Sequence, residues 1–180
     1  MMIAAMMVAA LTASAQNDDP KNEIGLYYGL GAASDIFSIF AHAFTFSSDD
    51  QHGYWGPIGV EYYYHTSPAI AIGAAASIAG CSWGKGSDDY SAKYITVMPS
   101  VKFNWLRKSH FGMYSSLSAG VMFMSHNIDD KYIDDKDQSV WFMGQVTPLG
   151  MEFGSQNFRG FTELGIGEKG FLALGLRYKW

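Results

Sequence analysis

The sequence predicts an all-β fold: a closed, antiparallel, eight-stranded transmembrane β-barrel. Three observations carry that prediction. Apolar residues alternate with polar residues or glycine over one segment after another, the period of a strand whose two faces meet different surroundings. The connections between segments alternate short and long, as they do when short turns gather on one rim and long loops on the other. The third observation is the final stretch, 171–180. Leu172, Leu174, Leu176, Tyr178 and Trp180 share one face there, and Phe171, Ala173, Gly175, Arg177 and Lys179 share the other. A strand of about ten residues ending on an interfacial aromatic suits a membrane crossing, leucines toward lipid and charges toward the lumen.

Taken in order, residues 1–15 are almost wholly apolar and end in Ala13-Ser14-Ala15, a small-x-small site before Gln16-Asn17-Asp18-Asp19-Pro20. They read as a signal peptide cleaved after Ala15, which leaves 16–180 as the barrel domain. No Lys or Arg precedes the apolar run, and a start codon placed a few residues late accounts for that. The first strand follows from Ile24, Leu26, Tyr28 and Leu30 alternating with Glu23, Gly25, Tyr27 and Gly29. Ile58, Val60, Tyr62 and Tyr64 against Gly59, Glu61, Tyr63 and His65 make the second, and the turn Thr66-Ser67-Pro68 leads to a third over 70–78. The fourth sets Ile95, Val97, Pro99, Val101, Phe103 and Trp105 against Thr96, Met98, Ser100, Lys102 and Asn104. Pro99 cannot donate to a ladder, so a bulge is expected there.

The basic turn Arg107-Lys108-Ser109-His110 opens a fifth strand from Phe111 to Phe123. The sixth, about 140–153, changes its apolar phase near Pro148, which again predicts a bulge. The seventh places Phe158, Thr162, Leu164 and Ile166 opposite Arg159, Phe161, Glu163 and Gly165, and Gly167-Glu168-Lys169-Gly170 turns into the eighth. Long polar connections are expected over 32–55, 80–92 and 124–139. Aromatics gather beside the short turns and chain end (Tyr64, Trp105, Phe111, Phe153, Phe158, Tyr178, Trp180). They gather again at the long-loop ends (Tyr54, Trp55, Trp83, Tyr90, Tyr94, Trp141), the arrangement of two interfacial girdles.

Composition narrows the function classes. A formal charge of −5 argues against a nucleic-acid partner, which wants a basic face. Cys81 is the single cysteine, so no internal disulfide staples the chain. His42, His52, His65, His110 and His126 have no metal-binding spacing, so no metal and no cofactor is expected.

With these features in hand, the mature chain resembles the small bacterial outer-membrane β-barrel family, eight-stranded and OmpA/OmpX-like. The leader, the alternating segments and the ending Gly175-Leu176-Arg177-Tyr178-Lys179-Trp180 carry the resemblance. That ending is similar to the family's C-terminal assembly signal, whose terminal aromatic is read by the barrel-insertion machinery. The family usually ends in Phe, and Trp180 departs from it conservatively. The resemblance implies residence in the outer membrane among its lipids and lipopolysaccharide. It implies no activity, because the family includes structural barrels, adhesins and a few enzymes.

The polar face turns Glu23, Glu61, Glu152 and Glu163 inward beside Lys102, Arg159, Arg177 and Lys179. Such a set is either an ion-pair network that fills the barrel or a path for ions, and the narrow interior of eight strands favours the former. Trp105, Tyr178 and Trp180 are the expected interface and assembly-signal residues. In the first loop, Ser34-Asp35 is a helix-capping pair ahead of Ile36, Phe37, Phe40, Ala41 and Phe44. So apolar a segment folds across the mouth, dips into the outer leaflet or meets an extracellular ligand or protein, with Phe37, Phe40 and Phe44 as contacts. The acidic run 129–137 lacks the glycine and spacing of an EF-hand and reads as solvated loop. The expected role is therefore non-catalytic, structural or surface-interacting. The alternatives are a barrel enzyme acting on lipid A acyl chains through Ser125 and His126, and a soluble lipocalin-like barrel with its leucines inward.

Overall fold

The structure is a computed structural model. It describes the backbone of residues 20–32, 51–85, 88–128 and 138–180, and the side chains of 20–32, 55–80, 93–125 and 139–180. The strands are β1 (Asn22–Leu30), β2 (Gln51–His65), β3 (Ile70–Lys85), β4 (Asp88–Arg107), β5 (Phe111–Ile128), β6 (Gln138–Gly154), β7 (Phe158–Gly167) and β8 (Leu172–Lys179). Each pairs antiparallel with the next, and β8 pairs back onto β1, closing the barrel. Reciprocal hydrogen bonds between the backbones of Asn22 and Trp180, both 3.0 Å, extend that seam to the chain end.

The alternation of the sequence becomes an inside-out protein. Glu23 and Lys102 are wholly buried, whereas Leu26 is 65 % and Ile166 80 % exposed. Ile58, Ile72, Ile95, Leu117, Leu174 and Leu176 continue the outward apolar band. A continuous apolar surface of this kind is what a lipid bilayer, not water, would cover. The soluble lipocalin-like alternative requires the opposite phase and is overturned by it.

Several sequence expectations change. No register shift occurs at Pro99: the β4–β5 ladder holds one register from Val97↔Val121 to Ser100↔Ser118. A missing donor interrupts one rung without adding a residue, and Gly120 lets β4 approach closely there. Pro148 does lie at a register shift, between Val146 and Leu149, with Ser115 Oγ donating to its carbonyl at 2.7 Å. Further shifts lie between Trp55 and Ile58, between Asn104 and Leu106, and between Tyr114 and Ser116. Tyr94 does not join the outer girdle; it is buried inside the barrel against Ala79 and Met122, on the inward phase it shares with Thr96.

The long connections are shorter than the sequence suggests. β3 and β4 stay paired to Lys85↔Asp88, so the expected loop over 80–92 is a hairpin and Asp88-Asp89 belong to its strand. Pairing of β5 with β6 likewise continues to Ser125↔Gln138. Apolar alternation marks a strand only while one face meets lipid, and these polar extensions keep their backbone bonds without it.

The wall has unequal heights. β2 to β6 run 15 to 20 residues, while β1, β7 and β8 have 9, 10 and 8. β7 leaves β6 at Gly167↔Gln145, so the β7–β8 turn lies well below the tip of β6.

Candidate functional site: the charged barrel interior

An eight-stranded interior is only wide enough for its own side chains, so large inward residues need small neighbours. Glycines supply them. Tyr27 lies over Gly59, Tyr63 over Gly73, Tyr114 over Gly150 and Phe161 over Gly175; in each case a Cβ on the glycine would collide with the ring. Gly112 makes the same room for Glu152, and Gly25 for Glu61. The rings then serve as walls for cations. Lys102 Nζ sits 4.1 Å from the Tyr114 centroid, and the Arg177 guanidinium 4.2 Å from that of Phe161.

The charged side chains form one connected network. Near the short-turn rim, Glu23 accepts from Lys102 at 2.6 Å and lies 3.1 Å from His65 Nε2. Glu152 accepts from Arg159 at 2.7 Å, from Lys179 at 2.5 Å and from Arg177 at 2.9 Å. Arg177 continues the chain to Glu61, and Lys169 joins Glu61 at 2.5 Å to Glu163 at 3.0 Å. Tyr114 Oη closes this end, donating to Glu163 at 2.8 Å. Among the described residues, the buried carboxylates Glu23, Glu61, Glu152, Glu163 and Glu168 equal in number the buried cations Lys102, Arg159, Lys169, Arg177 and Lys179. Buried charges are tolerable only when paired and hydrogen-bonded in this way.

All eight lumen residues read from the sequence are therefore buried and interconnected. Arg177 stands 3.8 Å from Glu163, the looser of its contacts; Glu61 and Glu152 are the carboxylates to which the guanidinium donates hydrogen bonds. Sequence reasoning missed two buried charges, Glu168 and Lys169, of which Lys169 is the one that joins the ion pairs. It lies in the β7–β8 turn, yet its side chain is wholly buried and 4.8 Å from the Tyr27 centroid.

The turn is held in the lumen from two sides. Gln145 Oε1 accepts from Lys169 N at 2.8 Å and Gln145 Nε2 donates to Gly170 O at 3.2 Å, while Thr96 Oγ1 donates to Glu168 at 3.3 Å. Positive φ at Gly167 (136°) and Gly170 (93°) lets the chain reverse within so short a turn. Burial works against the Lys169 charge, but Glu163 and Glu61 hold its pKa well above the ordinary lysine value. The only sequence signal was indirect: the two shortest strands of the second half flank this turn, which drops it below the neighbouring rim.

The remaining candidates separate. Trp105 is 61 % exposed on the outer surface at the β4 bulge. Tyr178 stacks on Trp180 with centroids 5.8 Å apart, and Tyr62 lies 6.5 Å from Trp180. Ser125 is an exposed residue of β5, in register with Lys93 and Gln138. The side chain of His126 lies outside the described residues, as do the leader 1–15, the segment with Phe37, Phe40 and Phe44, and the acidic run 129–137.

No family model and no curated protein matches this chain. Among solved structures, it is similar to Ail, the attachment invasion locus protein of Yersinia pestis, in complex with the heparin analogue sucrose octasulfate. That match has a TM-score of 0.52 and 13 % identity, and covers 90 % of this chain and 99 % of that one. The N-terminal β-barrel domain of Pseudomonas aeruginosa OprF matches with a TM-score of 0.48 and 12 % identity, over 90 % of this chain and 98 % of that one. The chain thus has the fold of the small eight-stranded outer-membrane barrels.

Proposed function

We propose that the chain is an integral protein of the bacterial outer membrane that catalyses no reaction and acts structurally or through its long-loop rim. The observation that carries this reading is the filled interior: a connected ion-pair network crosses the lumen from Arg159 near one rim to Lys169 near the other. A barrel closed in this way is a scaffold rather than a conduit, and its functional surface is the rim raised by β2 to β6. Lipopolysaccharide is the natural neighbour of that rim and the insertion machinery its partner during assembly. Ail is solved with a heparin analogue, but a sulfated ligand fits this rim poorly. Asp88-Asp89 ends the β3–β4 hairpin, and 129–137 adds further acids by sequence. An extracellular partner for this rim is cationic, or bridged by divalent ions.

Fractionation and surface labelling test the reading together. In a Cys81→Ser background, Asp88→Cys is expected to react with an impermeant thiol reagent on whole cells, whereas Ser109→Cys and Gln156→Cys react only after lysis. Equal labelling of all three positions, or recovery of the protein in the periplasm, would reject it.

A further inference from the structure

The short-turn mouth carries positive charge that the interior network does not neutralise. A pocket of about 180 Å³ opens between the β4–β5 and β6–β7 turns, with Arg107, Lys108, Ser109, Arg159 and Lys179 in its wall and, among the described residues, no carboxylate lining it. The carboxylate beneath, Glu152, is already engaged: Oε1 accepts from Arg159 and Lys179, and Oε2 from Arg177. The frame is fixed in advance. Arg159 donates from Nε to Ser155 O at 3.0 Å and from Nη2 to the carbonyls of Lys108 at 2.8 Å and Ser109 at 3.0 Å, tying the two turns together. Arg107 spends one donor on Pro20 O at 2.7 Å, and its other nitrogens remain for a ligand.

The geometry points to a binding site for a phosphate-class oxyanion, either free phosphate or the phosphate of a lipid headgroup. Arg107 at the end of β4 and Lys108 in the β4–β5 turn face a compact space whose floor is Arg159 and Lys179, already paired with Glu152, which suits an anion with several acceptor oxygens better than a single carboxylate. Arginine recognises such groups through paired donors, and preorganised donors cost little to align. A space of about 180 Å³ accommodates one phosphate group.

The test titrates inorganic phosphate, and separately sn-glycerol 3-phosphate, into the full chain in an alkyl-maltoside detergent at low salt. Arg107→Gln/Lys108→Gln is the variant, because neither side chain belongs to the buried ion pairs. Lys108→Gln alone replaces it if heat-modifiable mobility shows that the pair fails to fold. Saturable binding that weakens with salt and falls about tenfold or more in the variant is expected, the loss of one or two charge-assisted hydrogen bonds. Tighter binding of sn-glycerol 3-phosphate identifies a headgroup site, and tighter binding of inorganic phosphate a site for the free ion. The proposal is overturned by an absence of saturable binding or by equal binding in the variant. Binding seen only after Asp18→Asn/Asp19→Asn also overturns it, since the chain's own acids would then fill the pocket.

Discussion

Arg177 and Glu61 meet across Gly25. Both are in register with that glycine, one from β8 and one from β2, and Arg177 Nη2 donates to Glu61 Oε1 beside the space its side chain would take. The centre of the network thus depends on a residue that contributes no charge. Removing the gap should be as damaging as removing a partner.

Gly25→Val tests this directly. Its Cβ would stand 3.0 Å from Glu61 Cγ and Oε1, and the further methyls have nowhere to go. Overpacking of this kind costs about 1–3 kcal/mol, and displacing a buried ion pair adds to it. Urea unfolding followed by heat-modifiable mobility is expected to show a lower midpoint. A midpoint unchanged from the unmodified protein would mean that Arg177 and Glu61 do not need this space.

Arg177→Met leaves Glu61 with Lys169 alone and takes a partner from Glu152. The expected loss is about 3–5 kcal/mol, because a buried charge is left short of its partners. Glu61→Gln in the same chain should recover part of that loss, whereas Glu163→Gln, 3.8 Å away, should recover less. Strictly additive losses for Arg177 and Glu61 would show that they act independently.

Most of this network was legible because a charge inside an apolar strand has only two directions to take. The phase of Leu172, Leu174 and Leu176 fixes Arg177 and Lys179 inward, and the same logic places Glu23, Glu61 and Lys102. Lys169 escaped because a turn has no period. Its direction follows from the low β1–β8–β7 side of the wall, which depends on strand lengths around the closed barrel. Pro148 and Pro99 divide in the same way. The first shifts the apolar phase, which a sequence displays; the second interrupts a rung and leaves the phase intact. The extensions of β3 to β6 were invisible because their residues do not keep the apolar alternation by which a strand is read.

Lys169 gives a pH-dependent signature. Its folded pKa is raised well above the ordinary value, burial opposing the charge and Glu163 and Glu61 together reversing that. A raised lysine pKa contributes stability that is fully present below the unfolded value of about 10.4 and is lost as pH rises through the folded value. Lys169→Met should therefore lower stability by a constant amount from pH 5 to pH 9, the deficit narrowing only in more alkaline solution. A deficit that already narrows near neutral pH would show that Lys169 is not held charged. Planar-bilayer recording on the same variant reads the seal: the unmodified protein should conduct little, and removal of this residue should raise conductance.

The chain end distinguishes closure from recognition. Trp180 closes the β1–β8 seam through its backbone, while its ring stacks on Tyr178 outside the charged interior. Trp180→Ala keeps the backbone bonds to Asn22 and removes only the ring. If the terminal aromatic serves chiefly as the handle read by the insertion machinery, the variant should still refold in detergent, with a midpoint lowered only by the lost packing of a ring that is 9 % exposed. In cells it should accumulate poorly in the outer membrane and be degraded by periplasmic proteases. Deleting 178–180 should fail in both settings, because it also removes the pairing of Tyr178 with Ile24 and Phe158 and the Lys179 bonds to Glu152. Parallel loss of refolding and of cellular assembly in Trp180→Ala would assign the ring to stability. Normal assembly in cells would remove it from recognition altogether.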